Sequence, residues 1–240
     1  MHLSQILFSQ GFGTRRECDG LIHAGLVAHA GKVIDEPDVE LDTAGLVLRV
    51  QGQDWLFQAK ALLMLNKPAG YECSQRPKHH PSVLSLLPPP LRHRGVQPVG
   101  RLDEDTTGLL LMTDDGALIH RLTSPKHHVP KVYEVGCKHP VDARQVDALL
   151  AGVLLHDENE TVRAAACEAT GASSMRLTLV EGKYHQVKRM IAAAGNRVEA
   201  LQRSAFGPVS TEGLIPGGWR WLTDVETSAL SQKSRAGAER

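Results

Sequence analysis

Two unbroken apolar runs dominate the hydrophobic pattern of the 240-residue chain, Ala61-Leu62-Leu63-Met64-Leu65 and Leu109-Leu110-Leu111-Met112. Each ends in turn formers, Asn66-Lys67-Pro68 in one case and Asp114-Asp115-Gly116 in the other. Short apolar runs between such breakers predict buried strands, and Pro68 forbids the first from continuing as a central strand. Residues 175–180 alternate apolar and polar positions and predict a half-buried strand, with further strands at 132–136, 198–204 and 219–222. Helical spacing predicts helices at 117–122, at 141–150 with Val146, Leu149 and Leu150 inward, and at 185–194, where Gly195-Asn196 stops the last. Thr223-Asp224-Val225-Glu226 spells a capping box for a short final helix. The elements are mixed in order and lack a regular βαβ alternation. That favours an α+β domain over residues 61–230, built on a mainly antiparallel sheet.

Residues 1–52 read as a smaller, separate module. Leu3, Ile6 and Leu7 share one helical face, and Thr14-Arg15-Arg16-Glu17 fits a capping box at the start of a second helix carrying Cys18, Leu21 and Ile22. Short strands at 26–28 and 32–34 flank a tight turn at Ala30-Gly31, and 46–50 reads as another strand. Residues 53–60 read as a polar linker and 231–240, almost without apolar side chains, as a disordered tail. Residues 72–98 form a long Pro-, His- and Arg-rich loop with one helical patch at 82–87. A loop of that length inside a compact domain is usually functional or mobile.

Charge changes this picture little in bulk, because 27 Lys and Arg balance 27 Asp and Glu. Its distribution says more. Arg92-His93-Arg94, Lys126-His127-His128 and residues 183–189 are basic, whereas 35–42 and 157–160 are acidic. Basic clusters of this kind are either phosphate contacts or solvated surface. Cys18, Cys73, Cys137 and Cys167 are far apart and form no Cys-x-x-Cys pair, which predicts reduced thiols in a cytoplasmic protein without a metal site. No signal-peptide layout and no run long enough to cross a membrane is present in the sequence. Neither a dinucleotide fingerprint nor a phosphate loop appears in the sequence.

Candidate chemistry concentrates in residues 99–116, VGRLDEDTTGLLLMTDDG, where Asp103, Glu104 and Asp105 precede the second apolar run. Carboxylates on a loop at the mouth of a buried strand are where a rigid scaffold presents reactive groups. The stretch resembles the central motif of the pseudouridine synthases, in the branch that modifies ribosomal RNA. Asn66-Lys67-Pro68-Ala69-Gly70, Lys131-Val132-Tyr133 and the stretch EGKYHQVKRM at 181–190 resemble three more of its motifs, in the family's order. Thr123-Ser124-Pro125, His127-His128 and the wording of the last motif are most similar to the RsuA branch.

The resemblance implies an enzyme that needs no cofactor and isomerises a uridine of 16S rRNA, uridine 516 in that branch, within an assembling small-subunit particle. A 23S uridine, or RNA binding without catalysis, are the competing readings, and no protein partner is implied. Asp103 would be the nucleophile, at the sugar C1′ or at the uracil ring, whereas Glu104 and Asp105 lie outside the matching position and would face solvent. Tyr133 would stack on the extruded base, and Arg101 would fill the space that base leaves. Lys188 would be the cation beside Asp103, with the adjacent Arg189 as competitor about 100° around the helix. The same resemblance places Lys131 at the site, while Lys183, His185 and Gln186 would shape it or touch phosphate. Leu177 or Leu179 would form an apolar wall. Two helices, a small hairpin and the Arg15-Arg16 pair resemble an S4-like RNA-binding module.

Overall fold

A computed structural model describes residues 1–156 and 158–231. The chain divides into two units, each with its own core. The first comprises residues 1–61 together with 87–97, and the second 62–86 with 98 onward.

In the first unit, helices α1 (Leu3–Gln10) and α2 (Arg15–His23) pack on a four-stranded antiparallel sheet. The strands are β1 (Val27–His29), β2 (Lys32–Val33), β3 (Val47–Val50) and β4 (Gln53–Leu56), in the order β2-β1-β3-β4. The Thr14 capping box forms: the Glu17 amide donates to Thr14 Oγ1 at 3.3 Å, and the Thr14 amide donates to Glu17 Oε2 at 2.7 Å. Leu3, Ile6, Leu7, Cys18 and Ile22 are fully buried. The reading of 53–60 as a linker is corrected. Gln51 and Gly52, at φ 50° and 81°, make a two-residue hairpin turn whose twist matches paired strands, and β4 follows it at once. Trp55 is buried, its indole N–H donating to Gln10 Oε1 at 3.2 Å. Helix α3 (Pro89–His93), within the stretch read as loop, belongs to this unit, where Arg94 Nη1 donates to Gln10 Oε1 and the Gln58 carbonyl, each at 2.9 Å.

The second unit is built on a mixed sheet. Strand β5 (Leu62–Lys67) comes first, and β6 (Gln97–Pro98) stands at the unit boundary. The remaining strands are β7 (Thr107–Thr113), β8 (Lys131–Cys137), β9 (Val153–Leu154), β10 (Thr161–Val162), β11 (Ala166–Gly171), β12 (Ser174–Leu179), β13 (Val198–Phe206), β14 (Val209–Ser210) and β15 (Trp219–Trp221). The main path runs β11-β12-β8-β13-β7-β5-β15, antiparallel except where β13 meets β7. Strands β5 and β7 are the two apolar runs of the sequence and lie side by side in the interior of the sheet. Helices α4 (Gly116–Thr123), α5 (Ala143–Ala151), α6 (Gln186–Ala193) and α7 (Asp224–Ser231) complete the unit.

Leu150, expected inward, is instead exposed. Asp142 caps α5 through the Gln145 amide, and successive helical residues point about 100° apart, so that with Leu149 buried its neighbour turns to solvent. Strands β9, β10 and β11 carry no apolar alternation, and the sequence pattern gave no sign of them. The Thr223 capping box forms, and Arg220 grips Glu226 with two bonds of 2.8 and 2.7 Å. The expected tail at 231–240 lies outside the described residues, apart from the Ser231 backbone at the end of α7. Among the described residues, no helix is long and apolar enough to cross a membrane, and no group of three His, Cys, Asp or Glu could hold a metal ion.

Candidate active site

Strand β7 enters the sheet from the turn carrying Asp103, Glu104 and Asp105, and this turn is held from beneath by Lys67. The Lys67 side chain is fully buried, and its ammonium donates to three carbonyls, Thr106 at 2.8 Å, Glu104 at 2.9 Å and Pro68 at 3.1 Å. Desolvation pushes the Lys67 pKa down, opposed by the nearby Cys73 and the acidic turn. Bonds to a charged donor are worth about 1.5–3 kcal/mol each, enough to offset several kcal/mol of desolvation. The motif resemblance leaves Lys67 without a role. Its signal lies in the sequence all the same, since a lysine that continues the strand begun by an apolar run must bury its charge or leave the strand.

Gly108 allows β7 to approach β13. It sits at φ 100°, and a Cβ there would lie 2.3 Å from the Arg203 carbonyl oxygen. The β13 side chains therefore come close to the Asp103 turn, and a cleft of about 990 Å³ opens over this end of the sheet.

Asp103 is one-quarter exposed in that cleft, with a nitrogen partner on each oxygen. Lys188 Nζ lies 3.0 Å from Oδ2, and His185 Nε2 lies 3.2 Å from Oδ1. Lys188 also donates to Asp105, at 2.6 and 2.9 Å, so one ammonium serves two carboxylates. Burial works to lower the Lys188 pKa, but the bonds to Asp105 and Asp103 outweigh it and raise the pKa. At Asp105 burial works upward, and Lys188 prevails to hold the carboxyl below its ordinary range. The sequence reading left Asp105 facing solvent. Its side chain is indeed 56% exposed, yet it takes the shorter bonds to Lys188. Of the two candidate cations, Lys188 reaches Asp103, whereas Arg189 Nη1 donates to the Tyr184 carbonyl at 3.2 Å.

His185 owes its position to an unusual backbone. It adopts the left-handed conformation, φ 47° and ψ 33°, immediately before α6, a strain of order 1–3 kcal/mol for a residue with a Cβ. The Tyr184 ring stacks on it, centroids 3.8 Å apart, and Tyr184 itself is 73% exposed at the rim. Gln186 is buried and braces the loop: its Nε2 donates to Glu181 Oε1 at 2.7 Å, and its Oε1 accepts from the Lys183 amide at 2.8 Å. Lys183 pairs with Glu158 at 2.6 Å.

Tyr133 is 8% exposed and lines the cleft on β8, with Lys131 two residues before it on the same face. Leu179, rather than Leu177, lines the wall. Arg101 is exposed at the cleft. Across the opening, residues 78–80 are fixed by Glu72, whose carboxylate accepts from the amides of His79 (2.8 Å), His80 (2.9 Å) and Lys78 (3.1 Å). Those three bonds lower the Glu72 pKa to about 2, a staple that spacing alone did not reveal. His80 Nε2 stands 3.8 Å from Glu104 Oε2. Arg15 and Arg16 lie elsewhere, exposed on the first unit, where Arg15 stacks over Phe8 at 5.5 Å.

An Asp on a braced turn, a buried Tyr on the neighbouring strand and a Lys from a helix start thus converge on one cleft. The family model for RNA pseudouridylate synthase matches residues 61–193. A ribosomal small subunit pseudouridine synthase A from Salmonella typhimurium is 46% identical over 168 residues, covering 70% of this chain and 72% of that protein. The RNA pseudouridine synthase YtzG of Bacillus subtilis, described as uncharacterized, is 37% identical over 236 residues, covering 97% and 99%. A pseudouridylate synthase crystal structure superposes with a TM-score of 0.68 at 35% identity, covering 96% of this chain and 99% of that one. The chain belongs to the pseudouridine synthase family of isomerases, in its RsuA branch.

Proposed function

We propose that this enzyme converts one uridine of 16S ribosomal RNA to pseudouridine, uridine 516 by analogy with its branch, with Asp103 as the nucleophile. The observation that carries the proposal is the Asp103 carboxylate in the cleft, flanked by Lys188 at 3.0 Å and His185 at 3.2 Å. The Lys188 ammonium on one oxygen and the His185 ring on the other fix the carboxylate's rotamer, as nucleophilic attack on C1′ or the uracil ring requires. Isomerisation has no redox step and no group donor, so the chain's own residues can supply what it needs. Tyr133 receives the extruded base. Stacking recovers roughly 1–3 kcal/mol of the cost of extrusion, and Arg101 at the mouth fills the gap in the RNA.

Relatives named for the small ribosomal subunit support the 16S target, and the reading extends to an action in the cytoplasm, on the assembling particle. The first unit, with two helices, a small sheet and Arg15 and Arg16 exposed at the start of α2, serves as an S4-like RNA grip. The test is tritium release from RNA carrying [5-³H]uridine, because isomerisation must expel the C5 hydrogen. Wild type is expected to release it from small-subunit RNA. Asp103→Asn should bind that RNA normally and release none, and release at the wild-type rate would refute the assignment of Asp103.

A further inference from the structure

Two cations at the floor of the cleft, Lys131 and Arg203, are unused by the charge pairs around Asp103. Cross-strand register sets Arg203 opposite Tyr133 and Phe206 opposite Lys131, on one face of the sheet. Lys131 Nζ and Arg203 Cζ each lie 5.3 Å from the Phe206 ring centre, so one ring serves two positive charges. Lys131 is 9% exposed and Arg203 2%. Their hydrogen bonds among the described residues are to neutral carbonyls, Lys131 Nζ to Val129 at 2.9 Å and Arg203 Nε to Leu109 at 2.7 Å, and Arg203 Nη2 has no partner. A buried cation without a carboxylate is costly, and two beside each other repel. A ring between them returns only part of that cost. Folding alone would favour an apolar residue at position 131. Structures retain such costs where chemistry uses them.

We propose that the Lys131 ammonium, backed by Arg203 and Phe206, receives a carbonyl oxygen of the extruded uracil and stabilises the negative charge that the ring carries during isomerisation. The proposal rests on the pseudouridine synthase reading. When N1–C1′ breaks, its electron pair stays on the ring and spreads over N1, O2 and O4. C5 then bonds to C1′, the C5 proton leaves, and N1 gains a proton, so no atom or electron is lost. If Asp103 adds to C6 instead, the same charge appears on O4. Lys131 serves either route because it acts on the ring oxygens. Its ammonium spends one donor on Val129 and lines the cleft beside Tyr133, where the base would stack. Arg203 acts through Lys131 and is a positioning residue. A cation already placed where charge develops lowers the barrier without reorganising.

The test combines tritium-release kinetics with thermal melting of the full chain. Lys131→Met is expected to lower kcat about 100-fold or more, leave KM within about threefold, and raise the melting temperature. Lys131→Arg, which keeps the charge, should recover part of the rate. A Lys131→Met protein that melts lower and turns over normally would show a structural lysine and overturn the proposal. A raised KM with steep salt dependence and normal kcat would show phosphate binding and overturn it too.

A second readout avoids the loss of Lys131. Burial, then Arg203, pushes the Lys131 pKa down to about 8, with Glu181 opposing from the turn after β12. Wild-type kcat should therefore fall above pH 8, and Arg203→Gln should move that limb to higher pH. A limb unmoved in Arg203→Gln contradicts the assignment. Failure of wild type to release tritium would sink the synthase reading itself. Release undiminished in Lys131→Met would sink this inference alone.

Discussion

The wall and the floor of the cleft handle charge in opposite ways. On the wall, Lys188 pairs with both Asp103 and Asp105 and the His185 ring meets Asp103, all within 3.2 Å, and all four are at least one-quarter exposed. On the floor, Lys131 and Arg203 are buried and, among the described residues, have carbonyls and a ring as their partners. Wall charges are cheap in folding and costly to lose in chemistry, because they define one carboxylate's position. Floor charges are costly in folding, so removing one should trade activity for stability. The position of a charge, more than its presence, tells which role it serves.

The largest effect expected on the wall is that of Asp103→Asn, which should reduce tritium release by at least about 10³-fold while leaving RNA affinity within a few-fold. Next is Lys188→Met, which leaves Asp103 and Asp105 side by side without their shared cation. A loss of about 100-fold in kcat is expected, partly restored in Lys188→Arg, and single-turnover kinetics would measure it. A loss of less than fivefold would assign the fixing of Asp103 to His185.

Gly108→Ala tests what joins wall to floor. Its Cβ would strike the Arg203 backbone where β7 and β13 run parallel, at a φ that disfavours any side chain. A loss of about 2–3 kcal/mol is expected, read as a lower urea midpoint with unchanged slope. Asp105→Asn should matter little, about threefold or less in kcat, because its carboxylate is mostly exposed and Asp103 keeps Lys188.

The smallest effect concerns the staple opposite. The Glu72 pKa is lowered to about 2 by its three backbone bonds, below the ordinary value near 4.3. The sign follows directly: the contribution is full above pH 4.3 and disappears as pH falls toward 2. Amide exchange at Lys78, His79 and His80 should accelerate over that interval, and at any pH in Glu72→Gln.

How much of this was legible depended on whether the signal was local. Strands β5 and β7, both Thr capping boxes and the turn at Asp103 announce themselves in a few consecutive residues. Asp103, Tyr133 and Lys188 stand out by motif, and all three line the cleft. Hidden were features that need two distant segments at once. Gln51-Gly52 becomes a hairpin turn only when Gln53–Leu56 pairs with Val47–Val50. Helix α3 joins the first unit through Arg94 and Gln10, 84 residues apart. Arg203 reads as one polar residue in an ordinary strand until Phe206 and Lys131 surround it. Asp105 was set aside because an acidic turn usually faces water, and most of its side chain does.

The measurement closest to the central claim is a pseudouridine map of ribosomal RNA from cells lacking this gene, by carbodiimide labelling and primer extension. The account predicts loss of a single stop, in the small-subunit RNA at the uridine 516 position, restored by wild type and not by Asp103→Asn. An unchanged map, or restoration by Asp103→Asn, would contradict it.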